Sequence, residues 1–168
     1  CAQWNISYDL HMTKFPGHAA LIASGIGDPE VTAVAVGGDG TCNEVLNGLM
    51  GSSSRRMGVI PGGSGNDFSY GSIERTTLSG SLELLKRPRY HPIDIGLIRG
   101  GLFPQGRYFA NGVGIGFDTL VGFEAAKMKR LRGAPAYGWA ALKLLVRYPE
   151  LPKLHITIDS FEMTGSPI

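Results

Sequence analysis

VTAVAVGGDGTCNEVLNGL, residues 31–49, and MGVIPGGSGNDF, residues 57–68, are the stretches that decide the fold. Val31–Val36 is an unbroken run of small apolar residues, the pattern of a parallel strand buried on both faces. Glycines 37, 38 and 40 follow it directly. A helix is predicted from about Thr41 to Met50, with Val45, Leu46, Leu49 and Met50 on one face and Gly51 and Ser52–Ser54 ending it. Met57–Ile60 predicts a second buried strand, stopped by Pro61, with a second glycine loop at 62–65. Leu78–Lys86 predicts a helix with Leu78, Leu82 and Leu85 aligned. Strand, loop, helix, repeated, is the order of an open parallel α/β sheet, and both loops then leave the carboxyl ends of strands, the ligand edge of such a sheet.

Outward from this centre the reading thins. Tyr8–Leu10 predicts a short strand and Gly17–Ser24 a helix with Ala19, Ala20 and Leu21 as core contacts. Beyond a division near Arg87–Pro92 the pattern changes. Ile93–Ile98 and Tyr108–Val113 predict strands around the turn signal Arg99-Gly100-Gly101. Phe117–Arg130 and Tyr137–Arg147 predict helices, and Leu154–Asp159 a strand that leads into a polar turn. Residues 1–90 are expected to form an α/β nucleotide-binding domain and 91–168 part of a β-rich domain with a helical insertion. The chain reads as truncated at both ends.

Composition narrows the classes. The 168 residues are 43% hydrophobic and 18% charged, which fits a globular protein and argues against disorder. A net charge of +2 gives no global attraction to nucleic acid. Cys1 and Cys42 make no metal spacing with the histidines His11, His18, His91 and His155, and the reading is a reducing, cytoplasmic compartment. No apolar run reaches the length of a membrane span. Glycine is the outlier: 25 residues, about twice the usual share of roughly 7%, gathered at the loops.

The chemistry of the loops follows from their place. A helix N-terminus offers free N–H groups and the positive end of the helix dipole, and glycine lets an anion approach the backbone, so each loop is a candidate phosphate site. Asp39 departs from a plain cradle, since a carboxylate repels phosphate unless a cation or proton intervenes. It points to Mg²⁺ or proton handling. Ser64 can donate to a phosphate oxygen, while Asn66 and Asp67 can hydrogen-bond a ribose or hold a metal's water. The plainer alternative is a tight turn, with Thr41 or Asp39 capping the helix and Asn66-Asp67 bonded to local backbone.

GGDGTCNEVLNGL (37–49) with IPGGSGNDF (60–68) resembles the catalytic domain of the diacylglycerol kinase and sphingosine kinase superfamily, in its bacterial soluble lipid kinase branch. Thr13, His91-Pro92-Ile93-Asp94-Ile95-Gly96, Phe109-Ala110-Asn111-Gly112 through Gly116-Phe117-Asp118, and Lys129-Arg130-Leu131-Arg132-Gly133 with Tyr137 extend the resemblance over nearly the whole chain. It implies an NAD kinase-like α/β domain followed by a β-sandwich-like domain, with ATP in the cleft between. It implies ATP contacts at Thr13, Gly38, Asp39, Gly40, Thr41, Cys42, Asn43, Glu44 and Ser64. It implies an Asp39–Asp67–Asp94 network around Mg²⁺ through water, with Asp39 catalytic. Asp118 is a secondary candidate for that network, or else a cap for the helix beginning near Thr119. The reaction implied is transfer of the γ-phosphoryl group of ATP to a lipid hydroxyl at a membrane surface, diacylglycerol giving phosphatidic acid, with a homodimer kept open.

Three departures stand against the family pattern. Ser64 replaces its threonine, its N-terminal strand and Asn-Pro loop are absent, and its general-base carboxylate is expected beyond Ile168. The fragment itself is therefore expected to be inactive. The rivals are an NAD kinase-like enzyme, against which the second loop argues, phosphofructokinase on weaker grounds, and a non-catalytic nucleotide sensor. The cations Lys127, Lys129, Arg130 and Arg132 suit anionic head groups at roughly 1 kcal/mol each, or equally a solvated helix end. Trp139, Ala140, Leu144 and Leu145 are expected to face a core.

Overall fold

The structure is a computed structural model that describes residues 6–72, 78–128, 131, 133–147, 153–158 and 160–165. Helices α1 (His18–Ser24), α2 (Asp39–Leu49), α3 (Asp67–Ser72) and α4 (Leu78–Lys86) alternate with strands β1 (Thr32–Gly37) and β2 (Arg56–Pro61). The hairpin β3 (Gly96–Gly100) and β4 (Phe103–Phe109), helices α5 (Phe117–Ala126) and α6 (Ala134–Arg147), and the hairpin β5 (Leu154–Ile158) and β6 (Phe161–Gly165) follow. Two compact units divide the chain, Cys1–Gly112 and Val113–Ile168.

In the first unit β1 and β2 pair in parallel, Thr32 opposite Arg56 through Gly37 opposite Pro61, so both strands end at the same edge. This is the mixed α/β arrangement with a parallel sheet that the two strand–loop–helix repeats predict. The core lies where α2 is packed between α1 and the sheet. Ala19, Ala23, Ala35, Cys42, Val45, Leu49 and Val59 form one buried cluster, with Ile26, Ala33, Met57 and Phe68 against it. Leu49 is 1% exposed and anchors it. Small alanines on α1 let the helices approach closely. Leu21, expected inside, is exposed, because Ala19 and Ala23 take the inward face at a spacing of four residues.

Three corrections concern strands. Tyr8–Leu10 is not a strand; Tyr8 and Leu10 are exposed and without regular structure. Val36 is exposed, so β1 is covered on one side rather than both; β2 is its partner among the described residues. The second predicted strand of the 93–113 region lies earlier, at β4, because the turn forms at Gly100 and Gly101, which both have positive φ, and the chain pairs immediately afterwards.

The far end of α2 is pinned by polar contacts. The Arg55 guanidinium donates to the carbonyls of Leu49 and Ser52, placing a cation at the negative end of the helix dipole. Ser52 Oγ donates to Ile26 O and Ser54 Oγ to Val31 O, each at 2.6 Å. The serines that end the helix thus also tie it to α1 and β1.

In the second unit α5 and α6 pack through Val121, Ala125, Ala136 and Ala140, with Phe117, Met128, Ala141 and Leu144 around them. The apolar face expected over residues 139–145 is split. Ala140 is fully buried, but Trp139 and Leu145 are exposed, since residues 136, 140 and 144 define the inward line and these two lie a quarter-turn off it. Asp118 does not cap α5: Gly116 holds that position and Asp118 sits in the first turn. β5 and β6 form an antiparallel hairpin, where the sequence suggested a terminal strand and turn. Lys129, Arg130 and Arg132 lie outside the described residues.

Candidate phosphate site at the paired glycine loops

The two glycine loops are one structure. Gly62 N donates to Gly37 O at 2.9 Å, extending the parallel pairing past the ends of the strands. A Cβ on Gly63 would lie 2.4 Å from Gly38 Cα, so only glycine permits this crossing of the two backbones. Asn66 locks the second loop. It has φ 60°, is buried, accepts from Gly63 N and donates to Gly63 O, each at 2.8 Å. Asn66 therefore serves the local backbone, as the plainer reading allows.

The first loop opens α2 differently from either proposed cap. Gly38 is the N-cap and no side chain caps the helix. Asp39 is turned to the second loop, where its Oδ1 accepts from Phe68 N at 3.0 Å. A Cβ built on Gly65 would stand 3.0 Å from Asp39 Oδ2 and 3.7 Å from Asp67 Oδ2, so the two carboxylates flank one glycine. Cys42 N donates to Gly38 O, closing the first turn of the helix. The N–H groups of Asp39, Gly40 and Thr41 have no acceptor within the helix, which is the anion-binding property of such an end.

The remaining predicted residues sort by what they touch. Cys42 is buried in the core, and its thiol is pushed up to about 11 by burial, and next by the charge of Asp39, so it stays protonated. Glu44 reaches across to α1: its Oε1 accepts from Gly17 N at 2.8 Å and its Oε2 from Ala19 N at 3.2 Å. That carboxylate caps a helix that has no cap of its own. Asn43 faces the β3–β4 hairpin, donating to Tyr108 O at 3.0 Å and accepting from Arg107 Nε at 2.7 Å. Thr13, Ser64 and Asp94 are exposed. Thr13 lies in the segment before α1 and Asp94 in the segment between α4 and β3.

The sequence reading missed Asn47. Its Oδ1 accepts from Tyr108 N at 2.9 Å and its Nδ2 donates to Tyr108 O at 3.0 Å, so one amide side chain pairs with the edge of β4 as a neighbouring strand would. Asn43 and Asn47, four residues apart, share one face of α2, and that spacing is the signal that identifies the clamp.

Among the described residues no three His, Cys, Asp or Glu side chains gather into a metal cage. A pair of carboxylates beside the free N–H groups of a helix start does fit Mg²⁺, which keeps most of its waters and takes one or two carboxylates plus phosphate oxygens. Asp39 and Asp67 are the residues that would hold it, and when bound it would neutralise phosphate charge.

The family described as diacylglycerol kinase catalytic domain matches residues 1–98. The chain belongs to that family. It is 34% identical over 159 residues to a Bacillus subtilis (strain 168) protein named "Putative lipid kinase YtlR", covering 89% of this chain and 49% of that one. It is 34% identical over 129 residues to the diacylglycerol kinase of the same organism, covering 75% of this chain and 40% of that one. To the diacylglycerol kinase of Staphylococcus aureus (strain JH9) it is 32% identical over 128 residues, covering 75% and 38%. The chain thus spans about half or less of the length of these relatives. Among the described residues no helix is long and apolar enough to cross a membrane.

Proposed function

We propose that this chain carries the nucleotide-handling loops of an ATP-dependent lipid kinase that transfers the γ-phosphoryl group to a lipid hydroxyl. The observation that carries the proposal is the locked pair of glycine loops at the end of two parallel strands, with Asp39 and Asp67 flanking Gly65. Free N–H groups at the start of α2 receive phosphate oxygens. The two carboxylates hold Mg²⁺ through water, with Asp94 extending the network. Catalysis of this kind is mostly positioning and charge neutralisation. Thr13 and Ser64, both exposed, are available to the nucleotide. Glu44 and Asn43 act from behind, fixing α1 and the β3–β4 hairpin to the helix that presents the site.

The acceptor is diacylglycerol, giving phosphatidic acid; the names of two relatives support it. Residues from about 91 onward belong to a β-rich lipid-facing domain, and the protein works from the cytoplasm at the membrane surface. The test is phosphoryl transfer by the full-length protein, offered Mg²⁺·ATP with diacylglycerol in mixed micelles and, separately, NAD. Labelled lipid, lost in Asp39→Ala, is expected. Labelled NAD, or no labelled product in either arm, would overturn the reading.

A further inference from the structure

Arg107 helps to dock the β3–β4 hairpin on α2, and that contact uses only one edge of its guanidinium. It lies on β4, and its Nε donates to Asn43 Oδ1 at 2.7 Å. Its guanidinium carbon sits 5.3 Å from the centre of the Phe103 ring. The hydrogen bond fixes one edge of the guanidinium and the ring steadies the group, while the Nη1 and Nη2 edge has no hydrogen-bond or ion-pair partner among the described residues. An arginine with that edge free is presented as a fork, the geometry that takes two phosphate oxygens together.

Its position gives the fork a target. Asn43 lies four residues after Asp39, so the two side chains are neighbours on one face of α2, about 5–6 Å apart at their Cβ atoms. Asp39 on that face turns toward Gly65 and Phe68, and the next side chain along it holds Arg107. The paired loops carry two carboxylates, and a nucleoside triphosphate adds several negative charges. A cation on the same face offsets that repulsion. The other arginines bound to this framework are engaged elsewhere: Arg55 on the opposite end of α2, Arg56 in an ion pair with Glu30.

We propose that Arg107 is a nucleotide-binding residue, its Nη edge receiving phosphate oxygens of the triphosphate, with Asn43 positioning it. The proposal rests on the reading of the loops as an ATP site. The experiment is isothermal titration of the 168-residue chain with Mg²⁺·ATP and with adenosine, for wild type, Arg107→Gln, Arg107→Lys and Asn43→Ala. The glutamine variant keeps a donor for Asn43 and removes the charge, and circular dichroism verifies that each variant folds. Removing a charged hydrogen-bonding partner predicts about a tenfold or greater loss of ATP affinity for Arg107→Gln. Arg107→Lys and Asn43→Ala should lose less, and adenosine affinity should not change. Unchanged ATP affinity in folded Arg107→Gln would overturn the proposal, as would an equal loss for ATP and adenosine, which marks a structural role. Failure of the wild-type chain to bind ATP would instead overturn the nucleotide reading itself, and the proposal with it.

Discussion

Substituting Gly40 by alanine separates a glycine kept for the fold from one kept for a ligand. Gly40 lies in the first turn of α2, its φ is not positive, and a Cβ built on it meets nothing within 4 Å. Alanine in a helix is favoured over glycine by about 0.5–1 kcal/mol, so Gly40→Ala should be as stable as wild type or more so. In a chain of this size that amounts to a rise of about 1–4 °C in Tm. The same methyl group stands beside the free N–H groups proposed to receive phosphate. Forcing one methyl into a close contact costs about 1–3 kcal/mol, which predicts about a five- to hundredfold weaker binding of Mg²⁺·ATP. Thermal unfolding followed by circular dichroism and titration calorimetry read the two effects independently. A variant that binds ATP as well as wild type would show that phosphate does not approach Gly40. A variant that unfolds early would show that the space around it is not open.

Gly63→Ala should behave in the opposite way, since its methyl would meet the Gly38 backbone at 2.4 Å; a loss of about 1–3 kcal/mol in urea unfolding, with weaker ATP binding, is expected, and unchanged stability would refute the loop crossing. Glu44→Ala removes both acceptors from the start of α1 and should cost about 1–2 kcal/mol, read by chemical denaturation; a neutral result would mean that α1 is held by its alanines alone. In the second unit Glu124 is held down to about 2, from an ordinary 4.5, by Lys127 and then Lys143. A depressed carboxyl stabilises the fold above its unfolded value, so the contribution is full above about pH 4.5 and is lost as the pH falls toward 2. Glu124→Gln should therefore show a shallower decline in Tm over that window, and an identical decline would remove the ion pairs from the account.

The parallel core was legible because its signals are local and agree with one another. An apolar run, two glycine loops and the periodicity of α2 each specify the same β–loop–α unit, and the family resemblance lies on those residues. What side chains do across the fold was not legible in the same way. Glu44 and Asn43 sit inside the motif, yet they bind Gly17 and Tyr108, partners 27 and 65 residues away in the chain. Asn47 sits inside the 37–49 stretch and Arg107 outside any motif, and only the docking of the hairpin on α2 gives them their partners, Tyr108 and Asn43. Trp139 and Leu145 were misplaced because they lie a quarter-turn off the inward line of their helix, and Leu21 because it lies on the face opposite Ala19 and Ala23; the position of the inward line is set by the partner helix. Tyr8–Leu10 failed as a strand for a related reason: its alternation is short, and none of the described strands pairs with it.

The central claim, that the crossed glycine loops form a phosphate site, is tested most directly by titrating Mg²⁺·ATP into ¹⁵N-labelled chain and following the backbone amides. The account predicts that the amides of Gly38, Asp39, Gly40, Thr41, Gly63 and Ser64 move most, and that those of Glu44, Asn47 and the β5–β6 hairpin move little. Saturable binding with the largest shifts away from residues 37–41 and 62–65, or no shifts there at all, would contradict it.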